Sequence, residues 1–142
     1  MAYGEKDFDS ISFRNIIKKY EEARLVNEDI YMEPEELTDI AEFYYEKGNI
    51  SQAIEAVEYA IKLFPNSTMP VIFRARIALL EEHDCALAEK YADMVCDKSD
   101  LDYFYLIAEI MIVDGRASQA DNYLREHDTW DDFLILITVH LR

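Results

Sequence analysis

A spacing constrains this chain more than any other feature. Between Pro34 and Pro65 the stretch PEELTDIAEFYYEKGNISQAIEAVEYAIKLFP sets Leu37, Ile40, Ala41 and Tyr44 three and four residues apart. That interval gathers them into one apolar stripe on a helix. Ala53, Val57 and Ala60 form a second stripe of the same kind, and the small Ala41 lets the two helices approach closely. Gly48 and Asn49 fall where the first helix must end, in a slot suited to positive φ. Pro65 cannot occupy a helix interior and closes the unit. The consequence is a helical hairpin.

The hairpin recurs. Residues 115–120, GRASQA, restate residues 48–53, GNISQA, and Ala108 stands to Gly115 as Ala41 stands to Gly48. The offset of 67 residues divides into one repeat of 34 and one of 33. Between them Val71, Ala75 and Ala78, followed by Leu87, Ala88, Tyr91, Ala92 and Val95, supply a middle unit. There Glu82 replaces the turn glycine, no proline closes the pair, and the register of the second helix is open by about one residue. The pattern of large, small, aromatic, turn glycine, small, large, small and proline resembles the tetratricopeptide repeat family over roughly residues 34 to 130. The resemblance implies an all-α, right-handed α-solenoid of antiparallel helix pairs with about eight helices. Its parts are a capping helix and loop over 1–33, pairs over about 34–67, 68–100 and 101–130, and an apolar helix over 131–142.

Composition agrees with helices. The chain has 142 residues, 51% of them hydrophobic, enough for one domain with a continuous core. Three glycines and three prolines are too few for a loop-rich or all-β protein. The longest largely apolar run, Phe133 to Val139 with Thr138 within it, is seven residues, against the roughly 20 needed to span a bilayer. No signal core opens the chain, so a cytoplasmic protein is expected. Fourteen basic and thirty acidic residues give a net charge of -16, and residues 1–24 are balanced, so the whole excess lies in 25–142. Such a surface repels phosphate backbones and anionic lipids, which disfavours nucleic acid and membrane as partners. Cys85 and Cys96, eleven residues apart on one expected helix, are about 16 Å apart and cannot pair there. Buried thiols are expected, and no ligand spacing suggests a metal site around His83 and Cys85.

Local signals place the remaining boundaries. Ser10 or Ser12 caps a first helix carrying Phe13, Ile16, Ile17 and Tyr20 on one face, read as a cap beside the first pair. Ile30 and Tyr31 interrupt the polar connection 26–33 and are expected to tuck against the hairpin. Thr68 caps the third repeat helix with Pro70 in its first turn, and Ser99 with Asp102 makes a box-like start for the fifth. Thr129 caps a final helix, TWDDFLILITVHLR, that has almost no polar face. Such a helix either begins a further repeat of a longer array or joins two copies in a homodimer through Phe133, Leu136 and Ile137.

Catalysis finds little support. His83, His127 and His140 are scattered, and no nucleophile elbow, zinc-protease or phosphate-loop motif occurs. The acid pairs Glu35/Glu36, Glu81/Glu82 and Asp131/Asp132 sit at helix ends, and the first and last lie in first turns, where carboxylates favour the macrodipole. Neither an enzyme nor a cofactor is expected. Binding is the class the resemblance implies: the first helix of each pair faces a concave groove holding a peptide or partner helix. By position that groove is lined by Thr38, Glu42 and Tyr45, then Ile72, Arg76 and Leu79, then Tyr105, Glu109 and Ile112. The apolar members with Glu42 and Glu109 suit an apolar segment carrying Lys or Arg. Thr38, Glu42 and Glu109 stand where family members that clamp a C-terminal carboxylate need Lys, Asn or Arg, so an acidic tail is a poor ligand. The expected function is therefore a protein-interaction module, with a self-associating structural solenoid or a client-binding chaperone as alternatives.

Overall fold

The computed structural model describes residues 8–127. Seven helices and no strand occur among them: α1 (Ile11–Leu25), α2 (Pro34–Glu46), α3 (Ile50–Leu63), α4 (Thr68–Leu80), α5 (Cys85–Asp93), α6 (Leu101–Val113) and α7 (Ala117–Glu126). The segment expected to form an eighth helix lies outside the described residues. The chain divides into two compact units, the first ending at Pro70 and the second beginning at Val71.

In the first unit the two stripes meet. Leu37, Ile40, Ala41, Ala53, Ala56, Val57 and Ala60 are all fully buried, and Tyr44 nearly so. α2 packs against α3 across a three-residue connection, which requires the two to run antiparallel. Four alanines in this seam allow the close approach that larger side chains would prevent. α1 starts at Ser10, whose Oγ accepts the Phe13 N–H at 3.1 Å. Phe13, Ile17 and Tyr20 are buried. The Phe13 ring lies 5.9 Å from that of Phe43 on α2, and Arg24 bonds Glu55 on α3 at 3.0 Å, so α1 covers the hairpin from both of its helices. Burial, then Glu55, pushes the Tyr20 hydroxyl up to about 12. In the connection Ile30 is buried and its N–H donates to the Tyr59 hydroxyl at 3.2 Å. Tyr31, expected to tuck in beside it, is instead 87% exposed, because successive residues of an extended strand of chain point to opposite sides.

The turns explain the repeat. Gly48 has φ 81°, its N–H donates to the Tyr45 carbonyl at 3.0 Å, and the Asn49 N–H donates to the Tyr44 carbonyl at 2.9 Å. Gly115, with φ 80°, bonds Ile112 at 3.1 Å, and Arg116 bonds Met111 at 2.7 Å. Both are Schellman closures, which satisfy the last helical carbonyls and need a left-handed residue. The middle unit solves the problem differently. Its left-handed residue is His83, with φ 53°, and the Asp84 N–H reaches back to Ala78 at 2.9 Å. That link spans six residues where the glycine turns span five, so the turn holds one residue more and the α5 register slips by one. Glu82, expected at the glycine position, lies just before it.

The second unit contains the rest. α6 packs on both α5 and α7. Tyr105, Ala108, Ala120 and Leu124 form the buried core of the α6–α7 pair, with Met111 against it. α4 meets α5 through Arg74, which pairs with Glu82 and sits 5.0 Å from the Tyr91 ring centroid. Three local expectations need correction. Thr68 is already helical in α4. α6 is capped by Asp100, whose carboxylate accepts the Asp102 N–H at 2.8 Å, while Ser99 donates through its backbone and hydroxyl to Asp97. Aspartate, with two acceptor oxygens, outcompetes the serine as cap. Cys96 lies beyond the end of α5 and is exposed, and Cys85 is half-buried, so neither thiol is in the core.

No Cβ contact would arise within 4 Å at Gly48 or Gly115. Replacing either by alanine therefore costs only the left-handed backbone, about 1 kcal/mol. Gly48→Ala and Gly115→Ala are each expected to lower the urea midpoint accordingly, whereas Ser51→Ala, at an exposed helical position, leaves it unchanged within error.

Candidate functional site

The residues expected to line a groove divide by environment. On α2, in the first unit, Thr38 is 2% exposed and its hydroxyl donates to the Pro34 carbonyl at 2.8 Å, which occupies it locally. Glu42 and Tyr45 are half-buried. In the second unit Ile72 and Leu79 are buried on α4, and Tyr105 is buried in the α6–α7 core. Their side chains hold helices together. Ile112, the penultimate residue of α6, is exposed, as is its neighbour Val113. Phe133, Leu136 and Ile137, expected to mediate self-association, lie outside the described residues.

The second unit brings together three charged groups from α4 and α6. Arg76 is buried, and its Nη2 donates to Glu109 Oε1 at 3.0 Å. The Glu109 side chain keeps 22% of its surface. Asp102, two helical turns before Glu109 and so on the same face of α6, is 7% exposed. Its Oδ1 has no hydrogen-bond partner among the described residues. The three groups act on one another electrostatically. Burial is the largest influence on each. It raises the Glu109 and Asp102 carboxyls above the ordinary carboxylate range, with Arg76 opposing both rises. It lowers Arg76, with Glu109 opposing the fall. Both carboxyls thus interact with the Arg76 guanidinium, whose Nε, like Asp102 Oδ1, is buried without a hydrogen-bond partner among the described residues.

Arg76 and Glu109 were expected at groove positions from the family resemblance; the structure joins them to each other in an ion pair. Asp102 was not. Its place in the first turn of α6 reads as a capping role, and only the interval of seven residues to Glu109 marks it as sharing that face. The pair Arg74–Glu82 was missed as well, since residues eight apart on a helix and its following turn have no simple sequence signal.

Elsewhere in the first unit a groove of about 330 Å³ lies along α1 and the end of α2, lined by Phe8, Ile17, Leu25 and Phe43 together with Lys18 and Lys47. Among the described residues no group of His, Cys, Asp and Glu side chains could hold a metal ion, and no helix is long and apolar enough to cross a membrane. No family model, curated protein or solved structure matches the chain.

Removing one partner from a buried ion pair is costly because the other charge stays desolvated. Glu109→Ala is expected to lower stability by about 2 kcal/mol, discounted for the partial exposure of Glu109. The pH dependence follows from the raised carboxyls. A carboxyl whose pKa is higher folded than unfolded binds its proton more tightly in the folded state, so this site gains stability as pH falls from neutral towards the carboxylate range. Asp102→Asn should remove part of that gain, read as a flatter plot of urea midpoint against pH.

Proposed function

We propose that this chain is a non-catalytic protein-interaction module of the tetratricopeptide-like kind, which holds an apolar, basic segment of a partner protein. One observation carries the reading. α6 is apolar along nearly its whole length, LDYFYLIAEIMIV; its Tyr105 and Ala108 are covered by α7, yet Ile112 is 40% and Val113 51% exposed beside the partly open Glu109. An exposed apolar pair flanked by an acid is the composition that a segment alternating apolar and basic residues would complement. The recurrence of the glycine turn at a 67-residue offset supports the kinship with helical repeat proteins. The strong negative charge supports a basic partner, since it steers cations and repels polyanions.

In this reading Ile72, Leu79 and Tyr105 form the floor that positions the contact residues. Truncating them would test folding more than binding. The informative variant is Ile112→Ser, which removes exposed apolar surface only.

The test is affinity capture from a cell lysate by purified protein, beside Ile112→Ser and the control Tyr31→Ser, with folding of each checked by circular dichroism. A partner held by the native chain and by Tyr31→Ser, and bound about tenfold more weakly by Ile112→Ser, is the expected result. Equal retention by Ile112→Ser, or no capture at all, would sink the proposal.

A further inference from the structure

One aromatic residue of the first unit takes no part in the fold. Among the described residues Tyr31 is the only exposed tyrosine, with 87% of its surface open, and it makes no hydrogen bond, ion pair or ring contact with them. A tyrosine ring ordinarily lies against protein even where its hydroxyl reaches water, as Tyr45, Tyr59 and Tyr123 do. Tyr31 is held out by its neighbours. Ile30 and Met32 are buried, and the Ile30 N–H donates to the Tyr59 hydroxyl at 3.2 Å. At the start of α2 the Glu33 N–H donates to Glu36 Oε1 at 3.1 Å. Between these anchors the chain is extended, so every second residue faces out: Asp29, Tyr31 and Glu33 are exposed, and Ile30 and Met32 are not.

That outward face selects the chemistry. An aromatic that docks whole into a partner's pocket is ringed by groups that tolerate loss of water. Here Glu28, Asp29, Glu33 and Glu35, all exposed, would lose water with it, at a cost that no exposed apolar neighbour offsets. An enzyme that admits only the phenol leaves those acids at the rim of its cleft. There they steer the segment towards basic groups. The phenol is a free hydroxyl, and it stands on a link that an active site reaches without unwinding a helix.

The geometry points to Tyr31 as a site of phosphorylation by a tyrosine kinase whose substrate cleft has a basic rim. Tyr31 Oη attacks the γ-phosphorus of magnesium-bound ATP, its proton passes to the kinase's catalytic aspartate, and ADP departs with the electron pair of the broken P–O bond. The product adds about two negative charges beside the four exposed acids. Its three acceptor oxygens, held away from the buried anchors, suit an arginine-bearing pocket of a protein that reads the modified form. This site stands apart from the interaction-module reading, because Tyr31 belongs to the first unit and Ile112 to the second.

The test incubates the purified chain with magnesium ATP and a tyrosine kinase domain chosen for its activity on a glutamate–tyrosine copolymer, and follows each site by peptide mass spectrometry. The chain is expected to gain about 80 Da at Tyr31, about tenfold faster than at the half-buried Tyr45, Tyr59 or Tyr123. Tyr31→Phe removes that gain and keeps the native circular dichroism spectrum. The double variant Glu28→Gln, Asp29→Asn slows it about fivefold at low salt, and added salt narrows the difference. No phosphate at Tyr31, or a rate there no higher than at the half-buried tyrosines, would overturn the proposal. So would a rate that the double variant leaves unaltered at low salt, since the acids would then select nothing.

Discussion

The left-handed turn after each first helix is the constraint on which everything else depends. An α-helix ends with four carbonyls that lack partners, and the short connection to the next helix leaves few donors to meet them. A residue at positive φ brings two backbone N–H groups back onto the last turn and at once reverses the chain. Gly48 and Gly115 do this with the same pair of bonds. The hairpin seams then follow, because a fixed turn fixes which residues oppose one another. Ala41 against the alanines of α3, and Ala108 against Ala120, are consequences of where the chain turns.

His83 shows how much latitude that constraint leaves. It adopts the same backbone region without being glycine, and the turn it makes is one residue longer. Helix α5, at nine residues, is shorter than the others. Part of the cohesion of this pair comes from Arg74, whose charge is held by Glu82 and whose guanidinium lies near the Tyr91 ring. Where the seam cannot be as regular, a long side chain spans it, since its flexible stem tolerates a shift that small packed residues would not.

These differences mark the limit of what could be read from sequence. The stripes of α2 and α3 were legible because period, small residues and turn glycine all pointed to one arrangement. The glycine turn of α6–α7 was legible through its likeness to the first. Exposure was less so. Tyr105 sits at a position that faces outward in the repeat pattern, yet it is buried against α7, because a near-continuous apolar helix gives no contrast from which to choose a face. Tyr31 went the other way for want of any periodicity in a short extended link. Asp102 was hidden by its own plausibility: an acid in a first helical turn has a sufficient local reason, and only three-dimensional proximity to Arg76 gives it another.

The placement of Cys96 bears on how association of this chain is to be measured. It lies past the end of α5 and is exposed, where a second molecule's thiol can reach it. Two such sulfurs can join when one is oxidised by air to a sulfenic acid and the other attacks it as thiolate, with loss of water. A covalent pair formed in this way has the mass of a homodimer but owes nothing to complementary surfaces, and it dissolves on reduction. A mass measured with a reductant present, or with serine at position 96, therefore separates association through surfaces from association through sulfur.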